Sequence, residues 1–199
     1  MCNEVLPLGF VIEGKGEIDA VPLLTRRICT ELFGFYHFRT TPPVRIPKSK
    51  LVQKGEVERA VRLCSYQTGR RGPILVVLDA DDDCPAKLGT GLRDGALSLG
   101  LPNRVNVVLP KYEFETWFLA AAQSLSGRRG LGQGLKRPPN VEAIRGAKEW
   151  LSRKMIGSRT YSPSVDQAAL VGAMDLDAAR SSASFDRFCR VIAESCGLQ

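Results

Sequence analysis

The residues best able to do chemistry are acidic groups that follow two short apolar runs. Glu13 comes directly after Leu8–Ile12. Asp79 and Asp81 come after Ile74–Leu78. In an open α/β sheet, ligands bind at the carboxyl ends of parallel strands, so the two groups would meet at one edge. Carboxylates held that close together require a cation, and an all-oxygen set of ligands suits Mg²⁺ or Mn²⁺. The spacing therefore predicts a divalent metal site.

Three more acidic residues are candidate metal ligands, each with a competing explanation. Asp83 extends the second acidic group, but a residue just before Pro85 also serves to cap a helix. Glu17 would interact favourably with its own helix dipole, with or without a metal. Glu115 follows another apolar run, Arg104–Leu109, at the same end of the predicted sheet, and the dipole explanation applies to it as well.

A metal held in this way would support hydrolysis of phosphodiesters. It lowers the pKa of an attacking water and stabilises the charge that develops on the leaving oxygen. Glu13 could serve as a metal ligand or as a general acid or base. Gly14 and Gly16 would let the backbone approach a phosphate at the start of a helix, where anions are favoured.

The net charge of +7 hides a segregation of charge along the chain. Residues 39–71 contain nine Lys or Arg and two Glu, residues 128–159 contain the same numbers, and the remainder carries −7. Basic segments beside an acidic site suit a polyanion such as DNA or RNA, although basic helix faces are often merely solvated. The candidate nucleic-acid contacts are Lys15, Arg128, Arg129, Lys136 and Arg137.

Apolar runs that alternate with helical periodicity must position these residues. The pattern predicts a three-layer α/β architecture: a mostly parallel sheet of about four strands with helices on both faces. Phe35–Arg39 is predicted as the second strand, before a break at Pro42-Pro43. We expect the core over residues 1–125, a Gly-, Arg- and Pro-rich loop over residues 126–140, and a helical extension packed on the core over residues 141–199.

Other features of the sequence indicate where the protein is located and which kinds of site are not expected. No apolar run approaches the ~20 residues that span a bilayer, and no signal peptide is apparent, so we expect a cytoplasmic protein without a membrane partner. The six cysteines include no C-x-x-C pair, which favours free thiols in a reducing compartment. With His37 as the only histidine, a zinc site is not expected.

The two acidic motifs resemble the TOPRIM domain of topoisomerases, primases and overcoming-lysogenization-defect (OLD) nucleases. The resemblance rests on Val11-Ile12-Glu13-Gly14 and Val77-Leu78-Asp79-Ala80-Asp81 and covers roughly the first 125 residues. It implies that Glu13 is the catalytic glutamate and that Asp79 and Asp81 are the metal-binding pair. By the same resemblance, Asp83 and Glu115 complete a second metal site.

The chain is also similar to a bacterial family of uncharacterised TOPRIM-like proteins that are often associated with ATPase partners. The shared motifs are Glu13-Gly14-Lys15-Gly16-Glu17, Asp79–Pro85, Phe114–Ala120 and the tail pattern that begins Tyr161-Ser162-Pro163. The resemblance implies a Mg²⁺- or Mn²⁺-dependent nuclease, acting with an ATPase partner in DNA repair or anti-phage defence. Two alternatives stay open: a non-catalytic nucleic-acid-binding or regulatory subunit of an ATPase-containing complex, and phosphoryl chemistry on a small nucleotide.

Overall fold

A five-stranded sheet lies at the centre of the computed structural model, which describes residues 5–198. The strands are β1 (Leu6–Ile12), β2 (Phe38–Thr40), β3 (Val44–Arg45), β4 (Ile74–Val77) and β5 (Val105–Val108). Their order is β2-β1-β4-β5, β3 also pairs with β1, and every pairing is parallel. Because Ile12 lies opposite Val77, the acidic residues that follow β1 and β4 emerge at the same edge of the sheet.

The outer strand beside β1 is split into two pieces. Phe38 of β2 lies opposite Leu6 at the start of β1, and Val44 of β3 lies opposite Val11 near its end. Pro42-Pro43 falls in the gap, since proline has no N–H to donate to the ladder. The sheet therefore has five strands where the sequence predicts about four, and the strand predicted from Phe35 begins only at Phe38.

Helices cover both faces of the sheet. They are α1 (Glu17–Arg27), α2 (Lys48–Leu51), α3 (Glu56–Gln67), α4 (Pro85–Leu97), α5 (Thr116–Ala120), α6 (Ala147–Lys154), α7 (Pro163–Ala173), α8 (Leu176–Ala179) and α9 (Ala183–Ser195). A π-helical turn, Ile28–Leu32, continues α1, and a 3₁₀ turn, Val141–Ala143, precedes α6. None of the helices within residues 5–198 is both long and apolar enough to cross a membrane.

The sheet separates two apolar clusters, because side chains along a strand alternate between its faces. On one face, Phe10 and Ile12 pack with apolar residues of α1, α5, α7 and α9. On the other face, Val11 and Val76 pack with residues of α3 and α4. The three-layer α/β architecture predicted from the sequence is thereby confirmed.

The C-terminal helices share the larger of these two clusters. Phe185 and Phe188 of α9 pack against Trp117 of α5, with ring centroids 5.3 and 5.1 Å apart. Trp117 is fully buried, and its Nε1–H donates to Ser184 Oγ at 3.0 Å. The strands and the helices beyond residue 141 thus bury their apolar faces against one another.

The cysteines match the expectation of free thiols where the structure describes them. All five cysteines within residues 5–198 are free, and Cys2 lies outside the described residues. Cys29, Cys64 and Cys189 are buried, as small apolar thiols often are. Cys29 and Cys196 approach each other, with their Sγ atoms 3.9 Å apart.

Candidate functional site

The ends of β1 and β4 and the starts of α1 and α7 enclose a cavity of about 320 Å³, which we call the acidic cavity. Its lining includes the four carboxylates of Glu13, Glu17, Asp79 and Glu115 and two lysines, the exposed Lys15 and the half-buried Lys148. All four carboxylates are among the metal ligands predicted from the sequence. Lys148 is a residue that the sequence analysis missed.

The turn after β1 forms one wall of the acidic cavity. Glu17 is buried, and its Oε2 accepts hydrogen bonds from the backbone N–H groups of Glu13 at 3.0 Å and Gly14 at 3.1 Å. These bonds fix the turn, with Glu13 half-buried. Burial raises the pKa of Glu17 to about 7, against the lowering effect of the two N–H donors.

Gly16 allows two helices to converge on the cavity. A Cβ atom at this position would collide with the carbonyl oxygen of Pro163 and with Oε1 of Gln167. The start of α1 therefore approaches the start of α7 as closely as only glycine permits. Because residues at both helix starts line the cavity, two helix dipoles contribute positive potential there, which favours anions.

Asp79 and Glu115 are the other two buried carboxylates of the cavity. Asp79 Oδ1 accepts the backbone N–H of Phe114 at 2.7 Å. Glu115 Oε1 accepts hydrogen bonds from Tyr161 Oη at 2.9 Å and Gln167 Nε2 at 3.2 Å, whereas its Oε2 accepts none. Burial raises the pKa of both carboxyls, and repulsion from neighbouring carboxylates helps to hold that of Asp79 well above its usual range.

Lys148, in the first turn of α6, places its ammonium among three acids, two of the cavity and the neighbouring Glu113. Its Nζ lies 3.2 Å from Glu113 Oε1, 3.3 Å from Glu115 Oε2 and 3.6 Å from Asp79 Oδ2. Burial by itself would lower the pKa of Lys148, but the three carboxylates outweigh it and raise that pKa. The site therefore contains a fixed positive charge where the sequence predicts a metal ion.

Asp81 and Asp83 lie in an adjacent cleft of about 510 Å³, which Glu13 also lines. Here Lys48 Nζ contacts Asp81 Oδ2 at 2.8 Å and Asp83 Oδ2 at 3.0 Å. Asp81 has a left-handed backbone (φ +48°), fixed by a hydrogen bond from its N–H to the carbonyl of Tyr112 at 2.9 Å. Asp79 and Asp81 thus lie in two neighbouring clefts, with Glu13 between them.

As they stand, no three His, Cys, Asp or Glu side chains within residues 5–198 form a group that could hold a metal ion. The ammonium groups of Lys48 and Lys148 lie among the acids instead. The donor chemistry nevertheless fits a hard cation, because every donor is a carboxylate oxygen and burial, which raises the pKa of each acid, disfavours the charged form unless positive charge is added. Two buried oxygens, Glu13 Oε2 and Glu115 Oε2, also accept no hydrogen bond.

The basic residues predicted to contact nucleic acid are distributed over several places. Lys15 is exposed at the edge of the acidic cavity. Arg128 is exposed, and Arg129 donates to a backbone carbonyl in the first turn of α7 at 3.1 Å. Lys136 and Arg137 do not approach the cavity and line a separate cleft beside α6.

The residues of both clefts lie within a range that matches one protein family. A family model described as a domain of unknown function (DUF4276) matches residues 12–193. The chain belongs to the DUF4276 family. Comparison of this DUF4276 chain with curated proteins and with solved structures gave no match. The DUF4276 description names no activity, so the chemistry of the site has to be argued from its geometry.

Proposed function

We propose that the protein is a Mg²⁺- or Mn²⁺-dependent nuclease of TOPRIM type, which hydrolyses phosphodiester bonds of DNA or RNA at the acidic cavity. The observation that carries the proposal is the group of four carboxylates, three of them buried, of which two lie beside the ammonium of Lys148. Lys148 and the exposed Lys15 do not balance four carboxylates, so the cavity favours additional cations. The two helix starts that line the same cavity favour a phosphate beside them.

Glu13, Asp79 and Glu115 would hold the metal, with Glu17 fixing the turn that carries Glu13. A bound metal would supply an activated water and stabilise the charge on the leaving oxygen. Asp81 and Asp83 would provide a second metal-binding position in the adjacent cleft. Glu13 lines both clefts and is therefore the residue proposed to exchange a proton during the reaction.

Lys148 would contribute charge rather than a proton. Its raised pKa keeps the ammonium protonated throughout the neutral range, so it can stabilise a negatively charged phosphate but is a poor general acid. Lys15, exposed at the edge of the cavity, would attract the nucleic-acid backbone. We also propose a cytoplasmic protein that works with an ATPase partner in DNA repair or anti-phage defence, on the resemblance of its motifs to those of OLD nucleases.

A non-catalytic nucleic-acid-binding or regulatory subunit is the second candidate. The observation in its favour is that Lys48 and Lys148 neutralise part of both acidic groups without any metal. A subunit of this kind would bind nucleic acid equally well in EDTA, and its binding would weaken steeply with salt.

Cleavage by an Asp79→Asn variant distinguishes the two candidates. End-labelled single-stranded and duplex DNA and RNA are incubated with Mn²⁺, Mg²⁺ or EDTA. We expect cleavage only with metal and a loss of about a thousandfold or more in Asp79→Asn. Asp94→Asn is the matched control, because Asp94 is exposed on α4 and lines neither the acidic cavity nor the adjacent cleft. Binding of nucleic acid by the wild type without any metal-dependent cleavage would support the regulatory subunit instead.

A further inference from the structure

The separate cleft beside α6, of about 560 Å³, lies between the 126–140 loop and the later residues of that helix. We call it the basic cleft, because its lining contains four cationic side chains and no carboxylate: Lys136, Arg137, Arg153 and Lys154. Four like charges around one concave surface repel one another unless an anion lies between them. A concentration of positive charge of this kind is the footprint of a polyanion-binding surface.

The walls of the basic cleft are held in place by the protein itself. Gly132 N–H donates to the carbonyl of Lys154 at 2.8 Å, and Ile156 N–H donates to the carbonyl of Gly130 at 2.8 Å. Leu131 is fully buried beneath the loop. The loop backbone is thereby fixed against α6 before any ligand binds, which reduces the entropy lost on binding.

The cations of the basic cleft are also available to a ligand. Among the residues that the structure describes, Lys136, Arg137 and Arg153 take part in no ion pair and are exposed. Lys154 Nζ lies over the indole of Trp150, 5.6 Å from the ring centroid. This contrasts with Lys48 and Lys148, whose ammonium groups are already paired with carboxylates.

Trp150 adds a second kind of contact to the charge. Its half-buried indole lines the same cleft as the four cations. Bases of a single strand can stack on such a ring, whereas the bases of a duplex are already stacked on one another. An aromatic ring inside a basic groove therefore favours single-stranded over double-stranded nucleic acid.

Helix α6 connects the basic cleft with the acidic cavity. Lys148, in its first turn, contacts the buried acids, and Arg153 and Lys154, in its last turn, line the basic cleft. The rise from residue 148 to residue 154 is about 9 Å at 1.5 Å per residue. On the basis of the proposed nuclease function, we propose that the basic cleft binds single-stranded nucleic acid and leads the strand to the acidic cavity. Phosphates contact Lys136, Arg137 and Arg153, and one base stacks on Trp150.

Equilibrium binding in EDTA tests this without cleavage. Fluorescence anisotropy is measured with labelled oligothymidine, oligouridine and a duplex, each of about 20 nucleotides or base pairs. The triple variant Lys136→Ala/Arg137→Ala/Arg153→Ala should bind the single strands at least about tenfold more weakly, with a salt slope reduced by about 2. The control removes one Lys and two Arg from exposed positions on other helices or turns: Lys54→Ala/Arg62→Ala/Arg187→Ala. The ratio of thymidine to uridine affinity tells which nucleic acid is preferred.

Trp150→Leu supplies the test of stacking. It should weaken single-strand binding by about fivefold or more while duplex binding changes little, and Trp150→Phe should restore most of the loss. The inference is overturned if the triple variant binds like its control, if Trp150→Leu binds like the wild type, or if the duplex binds as tightly as the single strands. Thermal melting of each variant verifies that it is folded.

Hydrolysis of bis(p-nitrophenyl) phosphate with Mn²⁺ separates this inference from the proposed function. The small diester reaches the acidic cavity without needing the basic cleft, so the triple variant should hydrolyse it at the wild-type rate. If the wild type hydrolyses the diester but the cleft variants bind single strands as tightly as the wild type, the inference is overturned and the proposed nuclease function is not. Strand binding that depends on the cleft in a protein without any hydrolysis would overturn the proposed function instead.

Discussion

At the scale of single residues, the acidic cavity contains more carboxylates than the nearby lysines can neutralise. Glu13, Glu17, Asp79 and Glu115 all line it, and burial is the largest cause of the raised pKa of each. Lys148 supplies a half-buried positive charge beside Asp79 and Glu115. Buried carboxylates with raised pKa values lower the stability of the metal-free protein at neutral pH, because ionising them inside the fold is unfavourable. Binding a cation would relieve that penalty.

Glu17 should make the stability of the metal-free protein depend on pH. Its pKa is about 7 in the folded state, against about 4.3 in an unfolded chain, so the folded state holds the extra proton between these values. The free energy of unfolding therefore falls as the pH rises through this window. From about pH 4 to about pH 7.5 we expect the wild type to lose about 2–3 kcal/mol more than Glu17→Gln.

Urea unfolding in EDTA at several pH values measures this difference. Gln retains an oxygen that can accept from the N–H groups of Glu13 and Gly14, so the variant removes the charge and keeps the turn. Equal pH dependence in the two proteins would contradict the assignment.

Lys148→Met should lower the stability of the metal-free protein by removing positive charge from beside two buried acids. Without the ammonium, Asp79 and Glu115 lack their counter-charge, and we expect a loss of about 3 kcal/mol of stability in EDTA. Mn²⁺ should raise the melting temperature of this variant more than that of the wild type, because the metal no longer competes with lysine. Lys87→Met, at an exposed position on α4, is the control. A variant that melts like the wild type, with and without Mn²⁺, would argue against a charge-deficient cavity.

At the scale of elements, the sequence predicts the part of the site that local patterns encode. The apolar runs before Glu13 and Asp79 indicate strands, and parallel strands present their ends at a common edge. Lys148 could not be found in this way, because it reaches Asp79 from a helix nearly seventy residues later in the chain. The spacing of residues along the sequence does not predict which helix packs across the carboxyl edge of the sheet. The contact of Gly16 with Pro163 is hidden for the same reason.

Gly16→Ala should separate two elements that form the cavity. The added Cβ collides with the backbone of Pro163, so α1 and α7 must move apart, at a cost of about 2–3 kcal/mol. Metal-dependent cleavage should fall with it. Gly91→Ala is the matched control, because that position lies in α4 with open space around it and should be neutral or stabilising by about 0.5–1 kcal/mol. Thermal melting and cleavage assays measure both, and equal behaviour of the two variants would refute a tight α1–α7 contact.

At the scale of the whole molecule, each of the two basic segments, residues 39–71 and 128–159, contains one lysine that pairs with acidic residues of the site. Residues 39–71 provide Lys48, which pairs with Asp81 and Asp83. Residues 128–159 provide Lys148, and they also supply all the lining residues of the basic cleft. The sequence predicts the segregation of charge, but only the packing of α2 and α6 at the sheet edge decides which cations are paired and which stay exposed.

The C-terminal helices should be required for folding. A chain that ends at residue 140 lacks α6 to α9 and removes two aromatic rings that pack on Trp117, those of Phe185 and Phe188. Burial of a large apolar side chain contributes about 2–3 kcal/mol, so losing several exceeds the stability of an ordinary domain. Circular dichroism during heating should show a cooperative transition for the full chain and none for the truncated one. A cooperative transition in the truncated chain would mean that residues 1–140 fold alone.

The most direct test of the central claim, that the acidic cavity binds a divalent metal, is an anomalous difference map from crystals grown with Mn²⁺. We predict a peak within coordination distance of Glu13 and Asp79 carboxylate oxygens, with the Lys148 ammonium displaced from its place beside Glu115. The same crystals of Asp79→Asn should lack that peak. An empty acidic cavity at saturating Mn²⁺, with Lys148 still paired to Asp79 and Glu115, would contradict the account.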